Sequence, residues 1–142
     1  MADRTASALW QGDLFEGSGT VSAVTSGLFT EAGITWAART EEPGGKTSPE
    51  ELVAAAHAAC FAMSVSNELS SRGHPPARVE VQATCTFKPG KGITTISIDV
   101  AAEVPGVDDA GFREGLDAAV ASCPVSNAMR GNVDIQVDGT LA

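Results

Sequence analysis

Tyrosine is absent from the 142 residues, aromatic residues make up only 5% of them, and Lys and Arg together number 9 against 18 Asp and Glu. Without tyrosine, buried polar contacts have to come from other donors. The formal charge of -9 repels phosphate backbones and anionic bilayers, so neither nucleic acid nor a membrane surface is an expected partner. No long hydrophobic run occurs either. The longest, Leu52 to Val65, is broken only by His57 and Ser64 and falls short of the roughly 20 residues a bilayer crossing needs. The opening Met-Ala-Asp-Arg-Thr carries no hydrophobic segment of the signal-peptide kind, and a cytoplasmic location is the expectation.

Cysteine is scarce and odd in number, three in the whole chain. An odd count argues against the static disulfide framework of small secreted proteins. There is no Cys-x-x-Cys pair and no flavin or nicotinamide fingerprint, so no cofactor is expected. A structural zinc site would need four ligands at short spacing, and His57 with Cys60 supplies only two, so no metal is expected.

What is present suits one globular domain over residues 1–142, because a 43% hydrophobic content is enough for a core. Leu9-Trp10, then Gly-Ser-Gly-Thr-Val-Ser (17–22), then Ile34-Thr35-Trp36 read as short strands of an antiparallel meander separated by glycine-rich turns. The strongest helix signal is Thr47-Ser48-Pro49-Glu50-Glu51. Ser48 is a good N-cap, Pro49 suits the first helical position, and Glu51 completes a capping box. This helix is expected to run to Ser71-Arg72, where Gly73 and His74-Pro75-Pro76 stop it. Its first half is apolar all the way round, the mark of a helix buried on every side.

Downstream, Val79, Val81, Ala83, Cys85 and Phe87 alternate with polar residues, and Ile96, Ile98, Val100, Ala102 and Val104 do the same, so both are expected strands. A second helix is expected from about Asp109 to Ser122, a short one from Cys123-Pro124-Val125-Ser126 to Gly131, and a last strand through Val133, Ile135 and Val137. Strands, long helix, two strands, helices and strand make an α+β pattern without regular βαβ alternation.

Taken alone, Cys85 on the inward register of a strand reads as core, and Cys60 in mid-helix gains nothing from a helix terminus. Cys123, ahead of Pro124 at a helix start, sits where free N–H groups and the macrodipole lower a thiol pKa. His57 shares a helix face with Cys60, and its ordinary role is that of a satisfied core histidine.

Together, Trp-Gln-Gly-Asp (10–13), Gly-Ser-Gly-Thr-Val-Ser (17–22), Thr-Ser-Pro-Glu-Glu-Leu (47–52), Ala-Ala-His-Ala-Ala-Cys-Phe (55–61), Val-Pro-Gly (104–106) and Cys-Pro-Val-Ser (123–126) carry a resemblance. In order and spacing the chain resembles the OsmC/Ohr group of hydroperoxide-detoxifying proteins over essentially its whole length. Ser18 in the glycine-rich stretch, His57 in place of a tyrosine, and Val125 after Pro124 make it similar to the OsmC branch and not the Ohr branch. The resemblance implies an intertwined homodimer, two β-sheets wrapped around long central helices, which would bury the all-round apolar helix. It also implies Cys60 as the peroxidatic thiol, Cys123 as the resolving thiol, and Arg39 with Glu50 as their polar partners.

Those residues suit a thiol-dependent peroxidase. A thiolate attacks one peroxide oxygen, a guanidinium steadies the charge, a carboxylate orients the guanidinium, and the sulfenic acid condenses with a second thiol. Organic hydroperoxides are the expected substrates, with hydrogen peroxide a smaller alternative, and the reductant is an external thiol or dithiol, a dihydrolipoyl-type dithiol among them. The alternative function on the same fold is a non-enzymatic ligand-binding or stress protein with idle cysteines.

Overall fold

The computed structural model describes all residues, Met1–Ala142. The chain divides into two compact units, Met1–Leu52 and Val53–Ala142. In the first, β1 (Ala6–Gln11), β2 (Ser18–Ala23) and β3 (Ala32–Ile34) form an antiparallel sheet in that order. This is the expected meander with one difference. The third strand stops at Ile34 because Thr35 turns its hydroxyl onto the Ala38 N–H at 3.1 Å and N-caps a short helix, α1 (Trp36–Thr40).

The long helix α2 (Pro49–Ser71) starts where its cap predicts, with the Glu51 N–H donating to Ser48 Oγ at 3.1 Å. Only half of the capping box forms. The Glu51 carboxylate does not return to the backbone of Ser48 but accepts from the Thr47 hydroxyl at 2.7 Å. At the far end Gly73 takes φ +83, the left-handed conformation a helix stop requires, and the His74 N–H closes onto the Leu69 carbonyl at 2.9 Å.

The second unit is built on β4 (Arg78–Lys88), β5 (Gly92–Glu103) and β6 (Asp134–Leu141), a three-stranded sheet in that order. β4 and β5 pair antiparallel, but β6 runs parallel to β5, with Ile96 opposite Ile135 and Ile98 opposite Val137. A parallel pair needs a crossover, and α3 (Asp109–Ser122) and α4 (Pro124–Met129) provide it. The α+β class therefore holds, with a single βααβ crossover that the strand alternation alone did not reveal.

The core follows from periodicity. His57, Phe61, Val65 and Leu69, spaced four apart on α2, are fully buried. The last three pack with Ile96, Ile98, Val100 and Ala102 of β5 and with Phe112, Leu116 and Ala119 of α3. Each such side chain contributes roughly 1.5–3 kcal/mol by leaving water. Cys85 packs against the edge of this core, half-buried, as its strand register predicts. Gly115 of α3 makes room for α2, since a Cβ there would lie 2.5 Å from Leu69 Cδ2.

Two expectations change. Helix α2 is not buried on every side within one chain, because Ala55, Ala56, Ala59 and Met63 are exposed. At 23 residues it is also long and apolar enough, by length and composition alone, to cross a membrane, which counting uninterrupted apolar residues had missed. Its buried row lies in the core of the second unit, as in the core helix of a globular protein. Leu69→Ala should therefore cost about 2–5 kcal/mol of stability, read as a lower urea midpoint, while leaving the reactivity of the cysteines unchanged.

Candidate functional site

The second unit brings two of the three cysteines together. Helix α2 carries Cys60, and Cys123 is both the C-cap of α3 and the N-cap of α4. Their sulfurs lie 3.5 Å apart, and all three cysteines are thiols. A disulfide needs about 2.05 Å, so the two sulfurs are in contact and not bonded.

The two thiols differ in access and in acidity. Cys123 is fully buried, whereas Cys60 is half-buried and faces an open groove of about 350 Å³ lined by Met63, Ser64, Asn67, Ser122 and Pro124. Burial pushes the Cys60 thiol up and the adjacent Cys123 pushes it further, and the Val125 N–H and the Ser64 hydroxyl only partly oppose them. Burial also pushes Cys123 up, but the Ser126 hydroxyl and N–H, Cys60 and the Val125 N–H outweigh it and leave Cys123 lowered. Every group acting on Cys60 in this unit is uncharged apart from its partner thiol.

His57 is wholly buried one turn before Cys60, and its Nε2 lies 2.6 Å from Ser126 Oγ. Its Nδ1 is buried without a partner, so it is a half-satisfied core histidine. Burial lowers its pKa below the ordinary 6.5. No three His, Cys, Asp or Glu side chains converge as a metal site.

Arg39 and Glu50 meet within the first unit. Arg39 donates from Nε to Oε1 and Oε2 of Glu50 at 3.0 and 3.1 Å and from Nη2 to Oε1 at 2.7 Å. The α1 N-cap and the α2 start place them. Arg39 is in the last turn of α1, and Glu50, only 6% exposed, is in the first turn of α2. Arg39 also stands 5.8 Å from the centroid of Trp36, a cation–π distance. An apolar cleft of about 200 Å³ opens beside it, lined by Trp10, Leu14, Ile34, Thr35, Trp36 and Pro49. The solvated turn charge that Arg39 would be by itself is thus a guanidinium locked by a buried carboxylate against an indole.

Sequence reasoning missed Ser126 and the tryptophan cleft. Ser126 was within reach, since the third helical residue after a cap points back toward the cap. The cleft was not, because it depends on β1, β3 and α1 converging. Phe61, next to Cys60 in the chain, is turned into the core, and Met63 lines the groove.

A family model described as OsmC-like protein matches residues 42–138. Peroxiredoxin OsmC of Escherichia coli (strain K12) is 36% identical over 129 residues, 89% of each chain. An organic hydroperoxide resistance protein of Xanthomonas axonopodis pv. citri is 35% identical over 104 residues, covering 70% of this chain and 69% of that one. Among solved structures, the organic hydroperoxide resistance protein OhrB of Bacillus subtilis superimposes with a TM-score of 0.65 at 26% identity, over 96% of this chain and 98% of that one.

The buried imidazole has a consequence for stability. Its folded pKa lies below 6.5, so under acid the unfolded chain takes up the proton first. The stability that neutral His57 allows is complete above 6.5 and is lost as pH falls below that value toward the folded pKa. Denaturant midpoints measured from pH 7 to 5 should fall, and His57→Gln, which does not titrate, should flatten that part of the profile.

Proposed function

Because this chain belongs to the OsmC-like protein family, a cysteine-based peroxidase of stress defence, we propose that it reduces organic hydroperoxides with Cys60 and closes a Cys60–Cys123 disulfide in each cycle. The observation that carries this reading is the 3.5 Å approach of two thiols of unequal access. Cys60 faces the open groove and meets peroxide, and buried Cys123 waits behind it.

The Cys60 thiolate attacks one peroxide oxygen, the O–O bond breaks, and the other oxygen leaves as alkoxide and takes a proton to become the alcohol. Cys60 is then a sulfenic acid. Cys123 attacks its sulfur, and the oxygen departs as water. Two electrons and two protons from an external thiol or dithiol reopen the disulfide, and a dihydrolipoyl-type dithiol fits that role. The reducing cytoplasm keeps the resting cysteines as thiols. Hydrogen peroxide is a smaller substrate for the same steps, but the tryptophan-lined cleft beside Arg39 suits an organic tail better.

The missing element is a cation for Cys60, whose thiol is raised among uncharged groups. Arg39 supplies it, held by Glu50. Glu50 and Cys60 stand on the same helix, ten positions apart, which at about 1.5 Å per residue is roughly 15 Å. They do not meet within one chain. Two copies of α2 crossing antiparallel near Ala54 to Ala56 would bring Glu50 and Arg39 of one copy to Cys60 of the other. Exposed Ala55, Ala56, Ala59 and Met63 on α2 fit such a crossing, and uncovered Leu9, Phe15 and Leu28 leave apolar surface for a second chain. In this reading residues 1–142 act as one domain of a homodimer, with both sites shared.

Reduced protein mixed with an equimolar amount of cumene hydroperoxide should lose two thiols as one disulfide by mass spectrometry, whereas a ligand-binding protein with idle cysteines would keep all its thiols. Cys60→Ser should abolish peroxide consumption, and Cys123→Ser should turn over once and accumulate sulfenic or sulfinic acid at Cys60. Repeated cycling of Cys123→Ser without over-oxidation would defeat the two-cysteine scheme.

The shared site has its own test. Cys60→Ser and Glu50→Ala, each inactive alone, should recover about half of the wild-type activity as a purified mixed dimer, provided the sites act independently. A mixed dimer as inactive as its parents would return Glu50 to its own chain or remove it from the site.

A further inference from the structure

The junction between α3 and α4 presents its two flanks to the groove and hides its centre. Ser122 and Pro124 line the groove that Cys60 faces, while Cys123 between them is fully buried and packs in the hydrophobic core. The backbone of Cys123 is tied on both sides. Its N–H donates to the Ala119 carbonyl at 2.9 Å, and its carbonyl accepts from the Asn127 N–H at 3.0 Å. To bring its sulfur to solvent, the chain would have to break the end of one helix and the start of the next.

Cys60 is placed the opposite way. It stands on the flank of α2, half-buried, and Met63, Ser64 and Asn67 of the same helix form one wall of the groove in front of it. The two sulfurs are 3.5 Å apart, so a bond between them keeps one end at the groove and the other in the core. A thiolate opens a disulfide by approaching along the S–S line from the side opposite to the leaving sulfur, and access decides which sulfur it meets. From the groove that approach ends on Cys60, with Cys123 behind it. An approach that ends on Cys123 would have to start among the core side chains that enclose it.

We propose that the external reductant opens the Cys60–Cys123 disulfide by attacking the Cys60 sulfur through this groove, with Cys123 as the leaving thiol. This rests on the disulfide of the proposed cycle and adds the point of attack. The reductant sulfur bonds to Cys60 Sγ as the S–S bond breaks, and the bonding pair leaves on Cys123, which takes up a proton. A second thiol then attacks the reductant sulfur of the mixed disulfide and Cys60 departs as a thiolate. The reductant leaves as a disulfide, so two thiols supply the two electrons. Acidity runs the same way as access, since Cys123 is lowered and Cys60 raised, and the more acidic thiol leaves faster. Peroxide and reductant thus use one opening and meet one sulfur, and the resolving thiol stays in the core throughout.

The test makes the disulfide without peroxide. Full-length wild-type protein is oxidised with diamide, mixed with 2-mercaptoethanol and quenched in acid at short times. It is then unfolded and alkylated at low pH, and the 2-mercaptoethanol adduct is mapped by mass spectrometry. In the earliest samples the adduct should sit on Cys60, with Cys123 alkylated, in at least about tenfold excess over the reverse pattern. The reverse pattern or equal amounts of the two would overturn the proposal, and so would the absence of a Cys60–Cys123 disulfide after diamide.

The groove has a test of its own. Asn67→Trp puts bulk on an exposed position of the groove wall and should slow reduction of the diamide-formed disulfide by dithiothreitol by about tenfold. Glu114→Trp, at an exposed position of α3 away from the groove lining, should leave that rate unchanged. Equal rates in the two variants would remove the groove as the entry and overturn the proposal. Wild-type protein that consumed no peroxide but kept the adduct on Cys60 would end the peroxidase reading and leave the point of attack standing. Peroxide consumption with the adduct on Cys123 would do the opposite.

Discussion

Burial of one row of α2 is the constraint on which the second unit depends. His57, Phe61, Val65 and Leu69 repeat every fourth residue and are all removed from water, so the helix cannot rotate or slide without exposing several large side chains at once. With that row committed to the core, Cys60 is left on the flank of the helix, half in the groove, and His57 is driven inward beside α4. The positions of both residues are consequences of where the leucine, valine and phenylalanine had to go. Gly115 contributes by omission, since its missing Cβ is what lets Leu69 lie against α3.

Acidity and access divide between the two thiols. The helix start, the Ser126 hydroxyl and nearby N–H groups favour charge on Cys123, which no peroxide in solution can reach. Cys60 is reachable but sits among neutral neighbours that leave its thiol raised. The second unit thus holds a good nucleophile out of reach and a reachable thiol whose neighbours are uncharged groups and its partner thiol. In the proposed homodimer the second chain supplies that cation, which makes assembly a condition of chemistry and gives the exposed small residues of α2 a use.

The first unit holds a polar pair of its own. Arg39 is gripped by three contacts to a buried carboxylate and placed against the Trp36 ring. A guanidinium held this way loses little further entropy on meeting a charged partner, and an apolar cleft lies at its side. Each unit orders its own polar groups by its own packing.

Much of this was legible in the residues themselves, because it depends on local rules. Period-two alternation marked β4 and β5, Ser48 and Pro49 marked the start of α2, Gly73 marked its end, and Pro124 placed Cys123 at a helix terminus. Spacing of the Pro-Glu-Glu-Leu, Ala-Cys-Phe and Cys-Pro-Val-Ser stretches carried the family resemblance. Other features are decided by segments distant in the chain. β6 joins β5 in parallel because two helices carry the chain back across the sheet, and Phe61 turns inward because the helix row that contains it is buried against β5 and α3. The pairing of His57 with Ser126 spans 69 residues, and that of Cys60 with Cys123 spans 63. A sequence pattern reports the neighbours along the chain that set backbone conformation. Which side chains meet across such distances is set only when the apolar rows are packed together, and it is that packing which brings a mid-helix cysteine to Cys123 and a core histidine to Ser126.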